Sequence, residues 1–131
     1  MIEHEKQIEI RWRDLDVLGH VNHVVFLTYL EEARDEWLGH VLGDPEHVWG
    51  YVVARVEIDY RRQLALADDA VVARCALERI GSSSVRTREQ LRTRDGELAA
   101  EAQAVLVAWD AATGRSRPLS EDERGAFQRA S

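Results

Sequence analysis

The chain has 131 residues, a formal charge of −7 at pH 7 and a pI near 5.2. This length favours a single domain, spanning residues 1–131, with one hydrophobic core. The negative charge argues against nucleic acid as the main partner, because phosphate binding normally requires a basic surface.

The sequence also indicates a cellular compartment. No apolar run approaches the ~18 residues that would cross a bilayer, and residues 1–6 lack the basic and apolar regions of a signal peptide. Cys75 is the only cysteine, so an intrachain disulfide is impossible. Its alternation with Val71, Ala73 and Leu77 predicts a buried position on a strand. We therefore expect a cytoplasmic protein that does not enter a membrane.

A strand and a polar loop are predicted first. Ile8, Ile10 and Trp12 alternate with charged residues, and this period of two is typical of a half-buried strand. The strand is expected to end where a loop begins that carries Asp14, Asp16 and other groups able to move protons. This loop leads directly into a helix and so delivers its carboxylates to the helix start.

One long amphipathic helix is predicted over about residues 23–42, since apolar residues recur there at steps of three and four. Asn22 is a favourable N-cap, and residues 43–45 (Gly-Asp-Pro) form a stop signal before a loop through Trp49 and Gly50. The first turn of a helix has unpaired N–H groups and the positive end of the dipole. An oxygen that gains negative charge during a reaction is therefore stabilised there.

Four further strands are predicted after the helix. They cover about residues 52–61, 71–77, 84–93 and 97–109. Asp95-Gly96 is typical of a tight hairpin, and it favours a strand for the alanine-rich segment that follows. Ser120 and Glu123 form a capping-box pattern that predicts a short C-terminal helix, which Gly125 makes marginal.

These elements predict an α+β architecture. One helix cannot bury its apolar stripe alone, and an antiparallel sheet needs a cover for its apolar face. We therefore expect a five-stranded antiparallel sheet wrapped around one long central helix, with a short C-terminal helix. The single sheet leaves an exposed edge, which predicts a homodimer with a continuous sheet, or a homotetramer.

The loop and the helix start resemble a known family. Asp16, followed after six residues by His23 and then by the helical segment 29–34 (Tyr-Leu-Glu-Glu-Ala-Arg), is similar to the 4-hydroxybenzoyl-CoA thioesterase family of hot-dog-fold proteins. Residues 19–22 (Gly-His-Val-Asn) are also similar to the acyl-ACP thioesterase branch. The resemblance covers roughly residues 5–118. It implies a hot-dog fold and hydrolysis of an acyl-CoA or acyl-carrier-protein thioester, with coenzyme A as part of the substrate and no cofactor.

The resemblance implies catalytic roles for three residues. The family's aspartate at the position of Asp16 is either a nucleophile or a general base on water, and the sequence leaves both routes open. The backbone N–H of His23 would polarise the thioester carbonyl, while its imidazole either positions water or only caps and packs. Asn22 is sufficient as a cap, and the similar asparagine is treated as catalytic in the acyl-ACP branch. We take Asp14 as structural.

A second set of residues is predicted to bind substrate. Arginines on one face of the fourth strand indicate either a solvated, ion-paired face or a landing site for the phosphates of coenzyme A. Residues 81–84 (Gly-Ser-Ser-Ser) resemble the family's Gly-x-Ser segment beside the pantetheine channel, or are simply a turn. The acyl pocket is expected between subunits. The residues assigned to substrate and coenzyme A are Val24, Phe26, Arg62, Ser82, Ser83, Ser84 and Arg86.

The sequence offers three alternatives to this hypothesis. His20 and His23 with nearby carboxylates could ligate zinc or iron, but His20 precedes the predicted cap and does not share a helix face with His23, so we predict no metal. A hot-dog hydratase sets its histidine five residues after the aspartate with Asn-Pro between them, and neither feature follows Asp16. A non-catalytic hot-dog module that binds an acyl thioester or a protein partner is the alternative from another class.

Overall fold

The computed structural model of the protein describes residues 1–44, 46 and 50–131. Its strands and helices are β1 (Glu3–Glu9), α1 (His23–Leu42), β2 (Tyr51–Tyr60), β3 (Ala70–Ile80), β4 (Ser84–Thr93), β5 (Leu98–Asp110), β6 (Arg115–Ser116) and α2 (Glu121–Ala130). Two short 3-10 helices, Trp12–Asp14 and Leu66–Asp68, lie in the connections. Over the described ranges, no helix is both long and apolar enough to span a membrane.

The strands form one antiparallel sheet in the order β1-β3-β4-β5-β2, and the two-residue β6 pairs with the end of β5. The predicted Asp95-Gly96 hairpin joins β4 to β5. Gly96 has a φ of 95°, which a glycine adopts without steric cost, and its N–H donates to Thr93 O at 3.0 Å. The five predicted strands and the α+β class are confirmed, with β6 as an addition too short for a sequence pattern to reveal.

Helix α1 has the bounds that its pattern predicts. The Asn22 side chain accepts a hydrogen bond from Val24 N at 2.9 Å, and Gly43, with a φ of 72°, ends the helix in a left-handed conformation. Of the rest of the predicted stop signal and loop, Pro45 and Trp49 lie outside the described residues.

The core lies between α1 and the inner face of the sheet, where α1 packs mainly on β1, β3 and β4. One apolar cluster surrounds the start of the helix and includes Phe26, Leu30 and Val71. A second cluster surrounds its end and includes Trp37 and Phe127. The hydrophobic effect of burying these side chains contributes most of the free energy that holds the helix to the sheet.

Strand β1 is shorter than predicted. It ends at Glu9, and Trp12 lies in the first 3-10 helix with 80% of its surface exposed. The chain turns because the Asp14 carboxylate accepts a hydrogen bond from Arg11 N at 3.0 Å, which stabilises the turn rather than a continued strand. The alternation that includes Trp12 is therefore not a strand signal.

Strand β2 forms where the sequence predicts a strand, and a segment near its start is exposed. Val52, Val53 and Ala54 are exposed, and the pairing register with β5 shifts between Val53 and Arg55. The bulge interrupts the alternation, and β2 is an edge strand beyond the part of the sheet that α1 mainly covers. Further along the strand, Val56 and Ile58 are half-buried, and Ile58 packs against the apolar cluster at the start of α1.

The C-terminal helix forms despite Gly125. Ser120 Oγ accepts from Glu123 N at 3.1 Å, and the Glu123 carboxylate accepts from Ser120 N at 2.8 Å, which is the predicted capping box. Cys75 is buried among core residues, as predicted, and this burial raises the pKa of its thiol.

Candidate active site

Asp16 lies at the start of a small hairpin that enters α1. Leu15 and Val21 pair across this hairpin, and Asp16 O accepts a hydrogen bond from Gly19 N at 3.0 Å. Gly19 has a φ of 80°, as the closing position of such a turn requires. One carboxylate oxygen of Asp16 accepts from Leu18 N at 2.9 Å. Asp16 is half-buried, and its other oxygen has no hydrogen-bond partner among the described residues.

The start of α1 follows this hairpin directly. His23 is the first helical residue, its ring is exposed, and in the described part of the chain nothing accepts from its backbone N–H. The carbonyl oxygen of His23 accepts a hydrogen bond from the Tyr60 hydroxyl at 2.9 Å. The rings of Tyr60 and His23 meet edge to face at 6.1 Å, and those of Tyr60 and Phe26 at 5.1 Å. An unpaired amide at the positive end of a helix is able to stabilise an oxyanion.

A cleft of about 380 Å³ opens between the hairpin, the start of α1 and the end of β2. It is lined by Asp16, Leu18, His20, Val21, His23, Phe26, Tyr60, Arg61, Arg62 and Gln63. Four residues that the sequence predicts for the site therefore lie together in one chain: Asp16, His23, Phe26 and Arg62. Asn22 caps the helix and does not line the cleft.

Asp14 is a structural residue, as predicted. Its side chain is buried and accepts hydrogen bonds from the Tyr29 hydroxyl at 2.6 Å and from Arg11 N at 3.0 Å. Burial alone would raise the pKa of this carboxyl, but the bonds from Tyr29 and Arg11 outweigh burial and hold the pKa below its ordinary value. Burial and the Asp14 charge together raise the pKa of the Tyr29 hydroxyl.

Arg62 lies at the cleft but is already paired with acids. It donates to Asp68 at 3.1 Å and forms an ion pair with Glu97 at 3.0 Å. These pairs hold its side chain in place and neutralise part of its charge. Val24 is 55% exposed and does not line the cleft of the single chain.

The serine segment lies away from Asp16. Ser83 O accepts from Ala108 N at 2.8 Å, and Ser82 O accepts from Leu119 N at 3.0 Å. These bonds fix the segment beside the connection that leads into α2. Ser84 O accepts from Gly81 N at 2.7 Å, so residues 81–84 form a tight turn, which is the alternative that the sequence leaves open.

Arg86 is also outside the cleft. It lies directly across from Arg79 on the face of the sheet opposite α1, and no acid pairs with either arginine among the described residues. Within one chain, Ser82–Ser84 and Arg86 are therefore not brought to the Asp16 cleft, and the sequence prediction of a pocket between subunits stays a prediction.

His20 and His23 are the histidines that the sequence offers as possible metal ligands. Both line the cleft, and Asp16 lines it too. Within the part of the chain that the structure describes, no group of three or more His, Cys, Asp or Glu side chains is placed to hold a metal ion.

Sequence reasoning missed Tyr60 as a residue of the cleft. Its place at the end of the period-two pattern predicts only a strand residue, yet its ring covers Phe26 and its hydroxyl reaches the first helical carbonyl. An aromatic residue at a strand end, just before Arg61 and Arg62, is the signal that could have indicated it.

Comparisons with known proteins identify the family. A model of the thioesterase-like superfamily matches residues 10–127. The chain is 30% identical over 125 residues to the long-chain acyl-CoA thioesterase FadM of Escherichia coli strain K12, and the match covers 92% of this chain and 93% of that protein.

Solved structures give the same result. A Thermus thermophilus thioesterase, solved in complex with coenzyme A and zinc, is 36% identical with a TM-score of 0.87, over 97% of this chain and 92% of that one. A predicted thioesterase from Bacillus stearothermophilus is 26% identical with a TM-score of 0.89, over 98% and 96% of the two chains. The protein therefore has the hot-dog fold, belongs to the thioesterase-like superfamily and is a thioester hydrolase.

Proposed function

We propose that this chain hydrolyses an acyl-CoA thioester at the cleft between the Asp16 hairpin and the start of α1. Water adds its oxygen to the thioester carbonyl, the C–S bond breaks, and the products are a free acid and the thiol of coenzyme A. The observation that carries the proposal is that Asp16 and His23 line the same cleft, where the helix begins. The relatives that are named as thioesterases support the reaction type.

Asp16 is the proposed reacting carboxylate. The bond from Leu18 N holds one oxygen and so fixes the direction of the side chain, which leaves the second oxygen to take a proton from water or to attack the carbonyl. In the first route Asp16 is a general base. In the second route Asp16 forms an acyl anhydride, expels the thiolate, and water then releases the acid.

The first turn of α1 is the proposed oxyanion site. Negative charge develops on the carbonyl oxygen when the nucleophile adds, and an N–H that has no partner beforehand stabilises that charge without rearrangement. The N–H of His23 has this property among the described residues. The His23 imidazole is exposed at the cleft, where it is able to position water, while Asn22 acts through the helix cap.

Coenzyme A is the proposed carrier of the acyl group. The support is a relative solved with coenzyme A and another named for long-chain acyl-CoA. On this chain, Arg79 and Arg86 form a basic pair without acids among the described residues, which suits a phosphate. The free edge of β2 favours association with a second copy, which would bring its own Ser82–Ser84 and Arg86 towards this cleft. An acyl-carrier protein is the alternative carrier of the acyl group.

We further propose that the reaction needs no metal or prosthetic group and takes place in the cytoplasm. The proposed steps use only a carboxylate, water and backbone amides, none of which requires a cofactor. Metal analysis of the purified protein, followed by assay with a chelator, tests this point: thiol release that stops on metal removal and returns with zinc would contradict it.

Asp16→Asn tests the proposed function. The amide side chain still accepts the bond from Leu18 N but neither takes a proton from water nor attacks efficiently. We expect thiol release from a panel of acyl-CoA substrates to fall by roughly 10²- to 10⁴-fold, the usual contribution of general-base catalysis.

Asp110→Asn is the matched control. The Asp110 carboxylate accepts a hydrogen bond from Ala112 N at 2.9 Å. The Asp16 carboxylate accepts the equivalent bond from Leu18 N, also two residues later in the chain. We expect this variant to keep the wild-type rate. Equal rates for Asp16→Asn and the wild-type protein would eliminate Asp16 as the reacting group, and the absence of thiol release from the wild-type protein would favour a non-catalytic binding module.

A further inference from the structure

The Asp14 side chain connects the site hairpin to the helix. Its carboxylate accepts the Tyr29 hydroxyl of α1 at 2.6 Å. In the part of the chain that the structure describes, this is the one side-chain hydrogen bond between residues 11–21 and α1. Both side chains are buried, and Tyr29 is fully so. A buried hydroxyl is costly unless it is bonded, so this contact fixes the two residues to each other.

The main chain of Asp14 carries this connection to the site. The backbone oxygen of Asp14 accepts a hydrogen bond at 2.9 Å from the backbone N–H of Asn22, the residue that caps α1. Asp16 follows two residues later, on the same hairpin that Leu15 and Val21 close. One buried residue is thus bonded to the second turn of the helix, to the cap and, through the chain, to the proposed reacting carboxylate.

The other side of the hairpin is held in a different way. Val21 N donates to Leu64 O at 2.7 Å, and His20 pairs with Ala65. These contacts tie the hairpin to the connection between β2 and β3 but not to α1. Among the described residues, α1 itself therefore holds the hairpin through the side-chain bond from Tyr29 to Asp14, beside the main-chain bond that its cap residue Asn22 donates to Asp14 O.

We propose that Tyr29 and Asp14 are positioning residues that set the Asp16 hairpin against the first turn of α1 in the geometry that thioester hydrolysis requires. This inference rests on the proposed function. Neither residue lines the cleft, so we assign neither a direct contact with substrate. They act by holding the carboxylate and the oxyanion site at a fixed separation, and small errors in such a separation cost large factors in rate.

Tyr29→Phe tests the proposal, because it removes the hydroxyl and keeps the buried ring. Tyr51→Phe is the matched control, since the Tyr51 hydroxyl also donates to a buried carboxylate, that of Glu123, far from the cleft. We expect kcat of Tyr29→Phe to fall by roughly 10- to 100-fold with KM little changed. Tyr51→Phe should keep the wild-type kcat although it loses a comparable bond.

Amide hydrogen exchange gives a readout that does not depend on activity. In Tyr29→Phe the amides of Asp16, Val21 and Asn22 should exchange faster than in Tyr51→Phe, because the hairpin is released on its helix side. Equal kcat values for the two variants, or equal exchange at these amides, would overturn the proposal. A wild-type protein without thiol release contradicts the proposed function instead, and the exchange comparison then tests the positioning alone.

Discussion

At the scale of single residues, a buried ion pair joins α1 to β4. Arg34 donates two hydrogen bonds to the Glu89 carboxylate, at 2.8 and 3.0 Å, and both side chains are buried. The Thr87 hydroxyl donates to the same carboxylate. Removing two charges from water costs several kcal/mol, which the bidentate geometry and the added hydroxyl offset.

Glu89→Gln is therefore expected to lower the free energy of unfolding by about 3 to 5 kcal/mol, because it leaves the Arg34 charge buried without a counter-charge. The double variant Arg34→Met with Glu89→Leu should recover most of this loss, since neither charge of the pair then remains buried. Urea unfolding followed by circular dichroism measures both values. A double variant less stable than the single one would show that the pair is net stabilising.

The sequence predicts some residues of the site and not others for a local reason. Asp16, Asn22 and His23 lie within eight consecutive residues, so their chain positions nearly determine their spatial relation. Glu89 occupies a position on the apolar face of β4, where the alternation alone predicts an apolar residue. Its partner is 55 residues away in the sequence, and no local pattern indicates such a pair.

At the scale of elements, the Glu123 carboxylate adds a cluster of polar bonds to the apolar packing of Phe127 that holds α2 to the rest of the molecule. Glu123 accepts from Ser120 N, from Arg117 at 2.7 Å and from the Tyr51 hydroxyl of β2. Burial by itself would raise the pKa of this carboxyl, but the bonds from Arg117, Tyr51 and Ser120 outweigh it and lower the pKa from 4.5 to about 2.

This lowered pKa predicts a pH-dependent stability. A carboxyl whose pKa is lower in the folded state stabilises the fold above its unfolded pKa, and this contribution is lost as the pH falls from about 4.5 towards 2. The contribution is on the order of 3 kcal/mol at neutral pH. Thermal unfolding of wild type and Glu123→Gln should therefore differ most above pH 5 and converge near pH 2. A constant difference across this range would contradict the assignment.

The bounds of the elements were predictable where a capping or turn signal exists. Asn22, Gly43, the Asp95-Gly96 hairpin and the Ser120 box all mark an end that the structure confirms. Where no such signal exists, the pattern fails. Trp12 continues the alternation of β1 but lies in a turn that the Asp14 side chain stabilises. A hydrogen bond from a single side chain leaves no repeating pattern in the sequence, so the alternation does not reveal this turn.

At the scale of the whole molecule, the predicted substrate residues are divided between two places. Asp16, Phe26 and Arg62 lie at the cleft, whereas Ser82–Ser84 and Arg86 lie elsewhere on the sheet and its turns. We expect a second copy to pair at the free edge of β2, where apolar residues that α1 does not cover are exposed. The sequence alone predicts that the sheet has an exposed edge strand. It does not predict which residues meet across that edge, because their contacts depend on how two chains are arranged.

Val53→Lys tests whether a second copy completes the site. Val53 lies on the free edge strand and is 47% exposed, and a charge there disfavours strand pairing between chains. Leu66→Lys is the matched control, because Leu66 is 46% exposed but lies in the second 3-10 helix, outside β2.

We expect the wild-type protein and Leu66→Lys to sediment as dimers or tetramers and to release thiol from acyl-CoA. Val53→Lys should sediment as a folded monomer with a rate at least about tenfold lower, since a monomer lacks the partner's side of the pocket and its positioning of substrate. A wild-type monomer that hydrolyses acyl-CoA, or a Val53→Lys monomer with the wild-type rate, would mean that one chain carries the complete site and that the serines and Arg86 have no part in it.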